Sequence, residues 1–147
     1  TNLSARAHML IASTMGATAF QKGLGAIHSL SHPVGAVFDT HHGLTNAVFM
    51  PYVLAFNQKA IGDKMERLAH FIGLKKPSFP AVLEWTLDLR QKFEIPHTAA
   101  ELGVAEGRVS DIAAMAALDP TAPTNPVPAG ETEMRRILDA AMEGRIG

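Results

Sequence analysis

The sequence contains no cysteine, and charged residues make up only 18% of its 147 positions. The absence of cysteine excludes disulfides, thiolate metal ligands and cysteine nucleophiles within this chain. The formal net charge is −1, so nothing in the composition indicates binding to nucleic acid or to an anionic membrane. A metal site formed by this chain must therefore use histidine and oxygen ligands.

Long hydrophobic runs are also lacking. The most apolar stretch, residues 43–56, is interrupted by Asn46 and Pro51 and is too short to span a bilayer. It is better explained as a buried helix. No basic segment followed by an apolar run opens the chain, so we expect no signal peptide, no membrane partner and a cytoplasmic location.

Hydrophobic residues account for 47% of the chain, enough for one domain with a real core. No segment alternates at period two, so no strand is predicted. Apolar residues recur at helical spacing instead, and we expect an all-α, multi-helical bundle-like domain over residues 1–147. The predicted helices are 3–12, 17–30, about 41–60, 63–74, 79–93 (capped by Ser78), 107–118 and 131–142.

Four of the seven histidines, His28, His32, His41 and His42, lie in one otherwise apolar segment. Imidazoles are costly to bury there unless something binds them, and a metal is a natural candidate. The alternative is that His28 and His32 are hydrogen-bonded packing residues and that His41 and His42 belong to a polar loop. His8, His70 and His97 are isolated, which indicates surface or partly buried residues rather than ligands.

The spacing of His28 and His32 places them about 6 Å apart along a helix and about 40° apart around it, so they share a face. This is chelate spacing, although the glutamate of a His-Glu-x-x-His metalloprotease helix is missing. His42 would lie roughly 21 Å from His28 on one straight helix, so it can join them only if the chain turns back. Pro33 predicts a kink or helix end at His32, and Asp39-Thr40 predicts the cap of the next helix.

Two further patterns bear on such a site. The acids nearest in sequence are Asp39 and Asp63, and no Asp-x-x-x-His pairing occurs, so the chain looks like half of a metal site. Gly23 and Gly25, inside a predicted helix, indicate close approach by a neighbouring segment or a ligand.

The run from residue 23 to residue 51, GLGAIHSLSHPVGAVFDTHHGLTNAVFMP, resembles the iron-containing (group III) alcohol dehydrogenases. It is similar to the helical C-terminal domain of that family. The similarity continues through residues 52–57 and the Asn125-Pro126 pair before the last helix, and it covers essentially the whole chain.

The resemblance implies roles for three histidines. His28 and His42 correspond to two ligands of a catalytic divalent metal, and His32 to a catalytic residue that relays a proton near the nicotinamide. Many members have a proline where this chain has His41, so His41 is an alternative to His42 as the ligand; the following Gly43 favours His42. The other two ligands and a Rossmann-like α/β domain lie upstream of the part present here.

The function implied is that of an NAD(P)-linked, metal-dependent alcohol dehydrogenase, with Fe²⁺ as the metal and Zn²⁺ as the alternative. A small alcohol, or the corresponding aldehyde or ketone, would be the substrate, and NAD(P) would bind mainly to the absent N-terminal domain. We expect this domain alone to be inactive and the whole protein to be a homo-oligomer. Glycerol dehydrogenase or maleylacetate reductase chemistry is the alternative within the superfamily, and a helical interaction module with structural histidines is the alternative outside it.

Overall fold

The computed structural model describes residues 2–146, and within that range it is helical with no strand. The all-α prediction is confirmed. None of the helices in this range combines the length and hydrophobicity needed to cross a lipid bilayer. The α-helices are α1 (Leu3–Ala19), α2 (Gly25–Phe38), α3 (His42–Phe71), α4 (Phe79–Lys92), α5 (Val109–Ala117) and α6 (Glu131–Glu143). Short 3₁₀ turns cover Phe20–Lys22, Ala100–Leu102, Glu106–Arg108 and Ala122–Thr124.

Helix α1 is longer than predicted and lies on the outside of the molecule. It continues through residues 13–16, where the sequence predicted a weakening. A glycine such as Gly16 costs a helix only about 1 kcal/mol, and the Thr14 hydroxyl is satisfied within the helix by the Leu10 carbonyl at 2.9 Å. All residues from 2 to 23 are exposed, and the main packing partner of α1 is the turn that follows it.

Pro33 predicted a kink or a helix end at His32, and the structure shows that α2 does not end there. It runs through Pro33 to Phe38 and ends where Asp39 adopts a left-handed conformation with φ of 52°. A proline inside a helix removes one hydrogen bond and crowds the preceding turn. Pro33 is itself buried, and α2 packs against α3 and α5, so tertiary packing offsets that cost.

Helix α3 merges two predicted helices into one of 30 residues. It begins at His42, and its cap is His41, whose Nδ1 accepts a hydrogen bond from the Leu44 amide at 3.3 Å. Asp39 and Thr40 were predicted as this cap; Thr40 instead accepts a bond from the Thr45 hydroxyl at 2.7 Å.

The later helices agree closely with their predictions. Ser78 caps α4 through its hydroxyl, which accepts a bond from the Ala81 amide at 3.3 Å. Helices α5 and α6 begin and end within two residues of the predicted positions. Helices α2, α3, α5 and α6 surround the main core, whose fully buried members include Leu30, Val34, Phe49, Ile112, Met134 and Leu138.

The beginning of α2 is held by side chains about a hundred residues away. No residue within α2 or just before it caps the helix. Thr124 Oγ1 accepts hydrogen bonds from the amides of Leu24 and Gly25 at 3.1 and 3.0 Å, and Asn125 Oδ1 accepts one from Ala26 at 3.1 Å. These three amides are among the donors that every helix leaves unsatisfied at its start. The segment 119–125 therefore provides the cap that α2 lacks.

This contact requires glycine just before α2 and at its first position. Gly23 has φ of 100° and Gly25 has φ of 66°, both in the region that residues with a side chain avoid. A Cβ at Gly23 would lie 2.4 Å from Thr124 Cβ, and one at Gly25 would lie 3.0 Å from Asn125 Oδ1. The expected close approach is confirmed, and the neighbouring segment is 119–125.

We expect Gly23→Ala to lower the free energy of unfolding by about 2–4 kcal/mol, because it adds both backbone strain and a steric clash. Gly62→Ala is the matched control, since Gly62 lies inside α3 and a Cβ there would meet nothing within 4 Å. That substitution should be neutral or stabilising by up to about 1 kcal/mol. Urea unfolding followed by circular dichroism measures both, and equal effects would contradict the proposed contact.

Candidate metal centre

Three of the histidines lie together where α2 and α3 meet. Helix α2 carries His28 and His32 one turn apart, and His42 is the first residue of α3. The turn at residues 39–41 reverses the chain, so His42 reaches the other two. The ring centroids are 5.2 Å apart for His28 and His42, 5.7 Å for His28 and His32, and 5.6 Å for His32 and His42.

Asn46 joins two of these rings. Its Nδ2 lies 3.2 Å from His28 Nε2 and 3.1 Å from His42 Nε2, so the side-chain amide donates to both nitrogens. The lone pairs of the two Nε2 atoms are thus directed at one point, which is occupied by partly positive N–H groups. A cation would also be stabilised at this point, because two lone pairs are directed at it.

The environment of His28 favours its neutral form. Burial lowers the pKa of His28, and the neighbouring rings of His42 and His32 lower it further, while the Leu24 backbone and Asp119 oppose the shift. Its buried Nδ1 has no partner with hydrogen-bonding geometry within residues 2–146, nor has Asn46 Oδ1. A neutral imidazole is the form that binds metal.

His32 has a different set of contacts. Its Nδ1 lies 2.8 Å from Asp119 Oδ2, and its ring stacks nearly parallel to that of His42, at 15°. The His32 side chain is 40% exposed, so one edge of the ring faces outward. Helical spacing alone would pair His28 with His32, but Asn46 links His28 to His42.

The side chains at this centre provide some, but not all, of the ligands that a metal ion needs. His28 and His42 offer two convergent nitrogens, and imidazole suits both iron and zinc. Within residues 2–146, no three or more histidine or acidic side chains are placed so that they could hold one ion together. The described part of the chain therefore supplies a pair of candidate ligands, and any further ligands would have to come from outside it.

Two residues of this centre were missed in the sequence. Asn46 lies four residues after His42, so helical spacing could have identified it as a neighbour on the same face. The acid that bonds to the cluster is Asp119, and the sequence had pointed to Asp39 and Asp63 as the nearest acids. Asp119 is 87 positions from His32, and no local pattern connects them.

The remaining histidines lie outside the cluster. His41 caps α3, and His8 and His70 are exposed on α1 and α3. His97 is part of a separate network in which its Nδ1 accepts from Arg90 at 2.6 Å and its Nε2 donates to the Gly144 carbonyl at 3.1 Å.

Known proteins are similar to this chain in both sequence and fold. The chain is 37% identical to 4-hydroxybutyrate dehydrogenase of Cupriavidus necator over 147 residues, which is 94% of this chain and 38% of that protein. It is 33% identical to NAD-dependent methanol dehydrogenase of Bacillus methanolicus, over 96% of this chain and 39% of that protein. A crystal structure of 1,3-propanediol oxidoreductase superposes with a TM-score of 0.75 at 30% identity, covering 81% of this chain and 33% of that one.

The chain thus spans less than two fifths of the length of these relatives. Residues 1–142 match the family described as Fe-containing alcohol dehydrogenase, C-terminal. On this match, and with the all-helical fold and the shared architecture, the chain belongs to the Fe-containing alcohol dehydrogenase family and corresponds to the C-terminal part of its members.

Proposed function

We propose that this chain is the metal-binding C-terminal domain of a longer two-domain dehydrogenase, which transfers hydride between a small alcohol and NAD(P). The observation that carries the proposal is the convergence of His28 Nε2 and His42 Nε2 on one point. Two imidazole nitrogens directed at one position are suited to share an ion. The remaining ligands would come from the preceding part of the protein.

The metal we propose is Fe²⁺, with Zn²⁺ as the alternative, held by His28 and His42. When bound, such an ion supplies a Lewis acid that polarises the alcohol or carbonyl oxygen. Phe20 would shield one side of the ligand pair, because its ring meets that of His28 edge-on at 5.6 Å. His32, beside the pair but bonded to Asp119, would accept or return the substrate proton.

The names of the relatives support a proposal for the substrate class and the cofactor. The names of the similar proteins include 4-hydroxybutyrate, methanol and 1,3-propanediol, all of which carry a hydroxyl on a terminal carbon. We therefore propose a short primary alcohol or its aldehyde as the substrate. One of these relatives is NAD-dependent, and residues 2–146 form no strand and hence no sheet-based dinucleotide site, so we place the NAD(P) site upstream. We expect the whole protein to be a cytoplasmic homo-oligomer.

Helix α1 supports the proposal of a larger protein. Its exposed apolar side chains include Leu3, Met9, Leu10, Ile11 and Met15, each at least 58% exposed, and they are distributed around the helix. A helix that is apolar on all sides is normally covered on all sides. A second copy of the chain would cover one stripe, so we propose that the preceding part of the same polypeptide surrounds α1.

Zn²⁺ titration of the 147-residue chain tests the ligand pair. We expect the ring signals of His28 and His42 to shift together in NMR spectra, and His28→Ala or His42→Ala to abolish the shift. His41→Ala is the control for the adjacent alternative ligand and should leave it in place. Zinc binding that survives loss of both His28 and His42 would contradict the assignment and would favour a helical module with structural histidines.

The domain alone should show no NAD-linked oxidation of methanol, butanol or 1,3-propanediol above a protein-free blank. The reason is that residues 2–146 provide only two candidate ligands and no sheet-based cofactor site. Spectrophotometric detection of NADH measures this. Clear turnover by the domain would refute the proposal that the active site is shared with an upstream domain.

Hydrogen exchange tests whether α1 is left uncovered in the 147-residue chain, as the proposal requires. An isolated helix of 17 residues is marginal in water, so the amides of α1 should exchange far faster than those of α2 and α6. Protection of α1 that rises with protein concentration would show that a second copy covers it instead. Protection independent of concentration would mean that the chain covers α1 itself, which would also refute the proposal.

A further inference from the structure

Asp119 uses both of its carboxylate oxygens in a fixed arrangement. Oδ1 accepts hydrogen bonds from the Thr121 amide at 2.8 Å and from the Thr121 hydroxyl at 2.6 Å. Oδ2 faces His32 Nδ1 at 2.8 Å. The Asp119 side chain is only 11% exposed, so water has little access to this carboxylate.

The segment that carries Asp119 is attached to the same helix as His32. Thr121 Oγ1 lies 2.9 Å from the Ser29 hydroxyl and 3.3 Å from the Gly25 carbonyl. Ser29 precedes His32 by three residues on α2, so the carboxylate and the imidazole are held by one rigid unit. The short Asp119–His32 contact therefore follows from the docking of the segment on α2.

The carboxylate is ionised at neutral pH. Burial raises the pKa of Asp119, but the hydrogen bonds from Thr121 and the contact with His32 outweigh it, and the net effect is a lowered pKa. An ionised carboxylate only accepts hydrogen bonds. His32 Nδ1 must therefore carry the proton of this contact, and in the neutral ring the lone pair lies on Nε2.

We propose that Asp119 is a positioning residue that fixes His32 in the Nδ1–H tautomer, so that Nε2 is the proton acceptor beside the His28–His42 pair. No hydrogen bond within residues 2–146 engages Nε2, and the outer edge of the ring is exposed. The catalytic use of that nitrogen rests on the function proposed above. The tautomer does not rest on that function, because it follows from the contact with Asp119.

Replacing Asp119 by asparagine should reverse the tautomer. The Thr121 amide and hydroxyl both donate to Oδ1, so the amide oxygen of asparagine would remain there. Its Nδ2 would then face His32 and donate to Nδ1. The ring proton would move to Nε2, which could no longer accept a proton from a substrate.

The test is long-range ¹H–¹⁵N NMR of the histidine rings in the metal-free 147-residue chain, at a pH of about 8.5, two pH units above the ordinary histidine pKa. In the wild-type protein we expect His32 Nδ1 to be protonated and Nε2 to be unprotonated. In Asp119→Asn the two nitrogens should exchange their chemical shifts. A protonated Nε2 in the wild-type protein, or an unchanged tautomer in Asp119→Asn, would overturn the proposal.

Two further variants separate the tautomer from general disruption. Thr121→Val removes a hydroxyl bound to Asp119 but keeps the carboxylate, so it should lower stability without reversing the His32 tautomer. Asp111→Asn changes an exposed acid that pairs with Arg108, and it should change neither the His32 tautomer nor the contacts of Asp119. Reversal in Thr121→Val would mean that any loosening of the segment has this effect, and it would refute a specific role for Asp119. Because no metal is added, failure of the Zn²⁺ titration and failure of this test are separate results.

Discussion

The capping of α2 by the segment 119–125 is the interaction on which the rest of the site depends. The first amides of α2 have no partners of their own, and Thr124 and Asn125 satisfy three of them. A helix start left unsatisfied and partly buried costs about 1–3 kcal/mol for each donor that loses its bond. Asn125 is in turn bound to Asn57 on α3 by two amide hydrogen bonds of 3.0 and 2.8 Å. One loop therefore fixes the helix that carries His28 and His32 relative to the helix that carries His42.

The same loop also determines the chemistry of the three rings. Asp119 lies at one end of it and Asn125 at the other, so the cap of α2 and the partner of His32 belong to one segment. The result is a division of roles among rings only 5–6 Å apart. His28 and His42 direct Nε2 lone pairs at a shared point, whereas His32 is turned toward a carboxylate. Similar side chains thus have different hydrogen-bonding states because His28 and His42 share Asn46 as a partner, whereas the partner of His32 is Asp119.

Local patterns predicted the helices well where packing agrees with propensity. Helices α4 and α6 begin where Ser78 and the amphipathic pattern placed them, because capping and periodicity are encoded within a few residues. The predictions were wrong where a weak local signal was taken as a break: Gly16 and Gly62 do not interrupt their helices, and Pro33 does not end α2. A glycine costs a helix only about 1 kcal/mol, and the exposed α1 continues through Gly16. The larger cost of Pro33 is offset by the packing of α2 against α3 and α5.

The candidate site, too, could be predicted from the sequence only where its residues are close in the chain. The turn that returns the chain after His32 was foreseeable, although it comes at Asp39 rather than at Pro33, and Asn46 is visible at helical spacing from His42. Asp119 was not foreseeable, because the partner of His32 is brought to it by the long-range docking of a loop. The arrangement also explains why crowded imidazoles are tolerated here: the rings lie at the edge of the core, His28 is held neutral, and Asn46 satisfies two lone pairs. The two Nε2 lone pairs therefore converge because helix packing and Asn46 hold the rings of His28 and His42 in place.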